Sequence, residues 1–67
     1  MKISVKKIVA AMAAMGIDSY KALAAASGIS VNTISRLCNG GSAMVPTLRA
    51  IAEALGVSVA EIIEKGE

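Results

Sequence analysis

An all-α fold, a compact bundle of five short helices, is predicted by three observations. Apolar residues recur at helical spacing, glycines stand where helices would stop, and the apolar side chains are almost all small or aliphatic. Of 67 residues, 55% are hydrophobic, 18% charged and only 1% aromatic, so a core must be built from Ala, Val, Ile, Leu and four Met, with Tyr20 as the lone ring. That apolar fraction is too high for a disordered chain, and the length suits one core, so a single domain over residues 1–67 is expected.

Helix one is predicted near residues 4–15. Val5, Ile8, Val9, Met12 and Met15 fall on one stripe, with Lys2, Lys6 and Lys7 off it. Gly16-Ile17 follows, a glycine able to turn left-handed and an aliphatic residue to seal the turn. Helix two, near 19–27, opens at Ser19 and stops at Gly28-Ile29. Helix three, near 30–38, opens at Ser30 and stops at Asn39-Gly40, this time followed by Gly41. The stretch from Asn39 to Val45, with two glycines and a serine, reads as an exposed loop. Pro46 fits the first turn of helix four, near 46–55, whose Leu48, Ile51 and Leu55 share a face before Gly56-Val57. Ser58 and Glu61 form a capping box for helix five, near 58–64. No strand pattern stands beside these.

Composition excludes several functions. With no His and a single Cys, Cys38, the chain lacks a ligand set for structural zinc and a partner for an internal disulfide. No general base is placed beside a Ser or Cys, no glycine-rich phosphate loop precedes a helix, and the carboxylates gather at the C-terminus, so no enzyme and no cofactor are expected. The lysine-flanked start and the apolar run from Ile8 to Met15 superficially match a secretory signal. Cleavage there would leave roughly fifty residues without disulfides, which secreted domains of that size usually need, so a cytoplasmic protein is expected. The run is also shorter than the roughly twenty apolar residues that span a bilayer.

Net charge is +2 but uneven. Residues 1–50 carry Lys2, Lys6, Lys7, Lys21, Arg36 and Arg49 against Asp18, whereas the remainder carries Lys65 against Glu53, Glu61, Glu64 and Glu67. The N-terminal part is suited to an anionic partner.

The informative segment runs from Tyr20 to Leu37. Two helices of about eight residues joined by Ser27-Gly28-Ile29 are too tightly linked to lie flat on one another and should cross steeply, as in a helix-turn-helix. Leu23, Ala24, Ile29, Ile34 and Leu37 supply the inner face, and Ala24 is small where the helices cross. On a helical wheel Asn32 and Arg36 lie opposite Ile34 and Leu37, one turn apart, with Val31 and Thr33 flanking them. Asn pairs bidentately with adenine and Arg with guanine in the major groove, and methyl groups meet thymine.

The string from Leu23 to Leu37, followed by Asn39-Gly40 and by Ile51-Ala52-Glu53-Ala54-Leu55-Gly56-Val57-Ser58, resembles the Cro-like helix-turn-helix domains of phage repressors and small bacterial regulators over residues 17–63. The resemblance implies a lambda-repressor-like DNA-binding fold, a transcriptional regulator acting as a repressor, and double-stranded DNA as partner. It also implies that the start of helix two and the loop after helix three meet the phosphate backbone, here Ser19, Tyr20, Asn39, Gly41 and Ser42, with Ser30 opening the recognition helix. Lys21, in the first turn of helix two, is expected to reach a phosphate. Tyr20 departs from the family, which favours Gln there, and Gly41-Ser42-Ala43 replaces a loop that often carries Lys or Arg.

A small contact area per monomer calls for a homodimer on a two-fold operator, half-sites ~34 Å apart, through helix five with Val59, Ile62 and Ile63. Cys38, Met12 and Met15 read as core fillers, and Met44 as a contact outside the domain. The rival functions are an antitoxin-like protein-binding module of the same fold, marked by an apolar patch, and a membrane-surface protein, marked by lipid-dependent helicity. RNA binding is disfavoured because only Tyr20 is available for base stacking.

Overall fold

Three helices begin directly after a serine, and in each the serine hydroxyl accepts a backbone N–H that the helix leaves without a partner. The computed structural model describes residues 2–64. Ser4 caps α1 (Val5–Met15), Ser19 caps α2 (Tyr20–Ser27) and Ser30 caps α3 (Val31–Cys38), their Oγ atoms accepting from Lys7, Ala22 and Thr33 at 3.4, 3.0 and 3.2 Å. α4 (Val45–Leu55) follows Met44 and has no side-chain cap; Pro46 sits within its first turn, where a missing N–H costs nothing.

The predicted helix five is not a helix of that kind. Val59–Glu61 forms one 3-10 turn, so the described residues hold four α-helices where five were expected. Glu61 is the reason the turn is tight: its carboxylate accepts both the Ser58 N–H and the Ser58 hydroxyl at 3.1 Å. The chain then extends, and Ile63 pairs with Ile3. No strand forms among the described residues, but two isolated bridges, Lys2 with Ser42 and Ile3 with Ile63, tie the N-terminal residues between the loop after α3 and the C-terminal segment. The Ser4 N–H donates to the Ile62 carbonyl at 2.7 Å, and the Glu64 N–H donates to the Lys2 carbonyl at 2.9 Å. Ser42 is thus anchored through its backbone, a correction to the reading of 39–45 as a purely exposed loop.

The core is aliphatic. Ile8, Leu23, Ile34, Leu37, Leu48, Ile51 and Ile62 are its fully buried side chains, joined by Ile3, Met12, Ala52 and Leu55. Each buried aliphatic side chain is worth about 1.5–3 kcal/mol of transfer free energy. α2 packs on both α3 and α4, while α1 packs on α4. The inner face predicted for the α2–α3 pair is formed: Leu23, Ile34 and Leu37 are buried, with Ala24 and Ile29 partly buried against them.

Two expectations fail on burial. Of the stripe drawn on α1, only Ile8 and Met12 are buried, whereas Val5, Val9 and Met15 are exposed, so Met15 is not a core filler. Ile62, offered as a dimer contact, is 0% exposed, and Val59 and Ile63 pack against the same core. This segment closes the core, with Ile62 buried and Val59–Glu61 packed on α4.

Candidate nucleic-acid interface

The turn between α2 and α3 sets the direction of the second helix. Gly28 takes φ 76°, a left-handed conformation that costs a non-glycine residue, and its N–H donates to the Ala24 carbonyl at 2.9 Å. Ser27 Oγ then accepts the Ile29 N–H at 3.2 Å, as a serine before glycine commonly does in a turn. Ser30 stops the turn and starts α3. Its hydroxyl accepts the Thr33 N–H and also lies 2.8 Å from the Thr33 hydroxyl, to which it donates.

Along α3, Ile34 and Leu37 are buried while Asn32 and Arg36 are exposed, so the two candidate base-reading side chains share the outward face. Val31 is 42% exposed beside them. Thr33 is half-buried and its hydroxyl is held by Ser30, which leaves its methyl group as the part suited to an outside contact. The end of the helix is equally constrained. The Gly40 N–H donates to the Leu37 carbonyl and the Gly41 N–H to the Arg36 carbonyl at 3.0 Å. A Cβ on Gly41 would stand 2.8 Å from that Arg36 oxygen and 3.2 Å from Arg36 Cγ, so only glycine lets the loop fold back so closely on Arg36.

The remaining predicted site residues do not form one cluster of free polar groups. Ser19 and Ser30 spend their oxygens on caps, and the Asn39 amide donates to the Ser35 carbonyl at 2.8 Å. Tyr20 is half-buried against the core. Its hydroxyl is held above its usual pKa by a hydrogen bond with Cys38, by partial burial and by the electrostatic influence of the Cys38 sulfur. The phosphate role expected for the Tyr20 hydroxyl therefore competes with an internal partner. Lys21 and Ser42 are exposed.

Away from α3, Val9, Met12, Ala13, Gly16, Ile17 and Tyr20 line an open apolar groove of about 590 Å³ between α1 and the start of α2. In the sequence Val9 and Met12 read as core, Gly16 and Ile17 as a helix stop and Tyr20 as a phosphate contact, so nothing marks these residues as one surface. Among the described residues no group of three His, Cys, Asp or Glu is placed to hold a metal, and no single helix is long and apolar enough to cross a membrane.

α2, the left-handed turn at Gly28 and the serine-capped α3 with its two outward polar residues form a helix-turn-helix. The sequence model of the Cro/C1-type HTH DNA-binding domain matches residues 7–65, nearly the whole chain. The chain belongs to this family. No curated protein and no solved structure matches it. Membership makes this Cro/C1-type HTH domain a DNA-binding protein of the transcription-regulating kind, with DNA as its partner. The matched span begins within α1 and passes through α2, α3 and α4 to the C-terminal segment, so the 3-10 turn lies inside the family's extent.

Proposed function

We propose that this HTH domain is a cytoplasmic transcriptional repressor that binds its operator as a homodimer, with α3 in the major groove. The reading is carried by one observation: α3 buries Ile34 and Leu37 and presents Asn32 and Arg36 together on its solvent side. Asn32 reads an adenine, Arg36 a guanine, and Val31 and the Thr33 methyl meet thymine methyl groups. Lys21 and the loop residues Gly41 and Ser42 meet phosphates and set the register, while the caps at Ser19 and Ser30 hold the helix starts that face the backbone. Occlusion of a promoter by a bound dimer is the simplest route from such a site to regulation.

A second reading has its own observation. The groove at Val9, Met12, Ala13, Ile17 and Tyr20, with Met15 exposed nearby, is the apolar patch that a protein-binding, antitoxin-like module of this fold would need. Selection of bound sequences from a random duplex pool separates the two. The repressor reading expects a palindromic consensus with half-sites about 34 Å apart. A single unrepeated half-site would remove the dimer, and no enrichment from a folded protein would favour the protein-binding reading.

A further inference from the structure

The loop after α3 lacks the lysine or arginine that would ordinarily neutralise a phosphate there, its residues being Asn39-Gly40-Gly41-Ser42-Ala43. The fold brings two cations to the same place from the other end of the sequence. Lys2 pairs with Ser42 through the backbone, which lays residues 2–4 beside the loop. Lys2 and Lys6 then line one groove with Cys38, Gly40 and Gly41, at the C-terminal end of α3. Lys6 and Lys2 are exposed, and the α1 N-terminus, capped by Ser4, opens on the same groove. The acidic wall is Glu64, whose backbone N–H is bound to Lys2.

We infer that Lys2 and Lys6 are phosphate-binding residues of this domain, supplying from the N-terminal segment the charge that the α3–α4 loop lacks. The inference rests on the DNA-binding reading of α3. Its geometry follows from helix dimensions. α3 has eight residues, so it is about 12 Å long, close to the ~12 Å width of the major groove. With the first turns of α3 over base edges, its C-terminal end, where Lys2 and Lys6 line their groove, would come to the strand that borders the major groove. Gly41 ties the two regions together, since its Cα lies so close to Arg36 that an added Cβ would touch Arg36 Cγ at 3.2 Å. Lys7, the next residue along α1, does not line the groove and serves as an internal control of equal charge.

The test is the salt dependence of binding to the selected duplex. Each neutralised phosphate contributes about −0.9 to the slope of log affinity against log salt. Lys2→Gln with Lys6→Gln should therefore flatten the slope by about two units per protomer, with Lys7→Gln leaving it at the parent value. Gln keeps helix propensity close to that of Lys, and Lys2 bonds through its backbone, so the melting temperature of the double variant should match the parent. An unchanged slope in the double variant, or an equal flattening by Lys7→Gln, overturns the assignment while leaving α3 as the reading helix. A parent protein that binds no duplex even at low salt overturns both.

Discussion

In α3 the buried residues Ile34 and Leu37 stand on one side and Asn32 and Arg36 on the other, whereas in α1 the buried Ile8 and Met12 share their helix with Val5, Val9 and Met15, all exposed. Both helices carry apolar residues at helical spacing. They differ in what surrounds that spacing. Apart from Val31 at its first position, α3 has polar side chains wherever it is exposed, so its outer face is defined by chemistry. α1 has Ala and Val around most of its circumference and packs on α4 over a narrow stripe, so its chemistry does not say which apolar residues are covered. An apolar period thus identifies a helix in both cases, but it locates the buried face only where polar residues mark the opposite one.

The sharpest way to break this comparison is to shorten one aliphatic side chain on each helix. Ile34→Ala should destabilise by about 2–5 kcal/mol, because it opens a cavity at a residue only 1% exposed. Val9→Ala should change stability by about 0.5 kcal/mol or less, since Val9 is 49% exposed. Chemical denaturation of the two variants checks both values, and similar losses would mean that α1 is covered as deeply as α3.

A smaller effect sharpens the account of the α2–α3 crossing. Ala24 is partly buried against the core and Ala25, its neighbour in sequence, is exposed. Ala24→Leu should overpack the crossing at a cost of about 1–3 kcal/mol, and Ala25→Leu should be near neutral. Thermal melts distinguish them; equal melting temperatures would place the contact between α2 and α3 elsewhere.

Much of this was legible from the chain because local chemistry and tertiary packing agree. Ser19, Ser30, Gly28 and Gly56 mark starts and stops by conformational preference alone, and the structure uses each in that way. The segment from Ser58 to Glu64 shows where such signals run out. Its capping pair is real, but the few residues after it are drawn into pairing with Ile3 and into burial of Ile62, and those long-range contacts outweigh the helical signal. The candidate site divides in the same manner. The face of α3 follows from its own period. The approach of Lys2 and Lys6 to Gly40 and Gly41 spans more than thirty residues of sequence and has no local signature. The turn of Tyr20 toward Cys38 is equally silent, because a tyrosine at a helix start reads as a surface residue until its neighbour in space is known.

The central claim, that the solvent face of α3 reads DNA, is tested most directly by titrating Arg36→Ala and the parent against the selected duplex. Arg36 is exposed and contributes nothing to the buried core, so the variant should melt within about a degree or two of the parent. Its affinity for the selected site should fall by about 1–3 kcal/mol, with preference relaxed at one guanine position. Equal affinity of variant and parent, with guanine still required at every position, would contradict the assignment of α3 as the recognition helix.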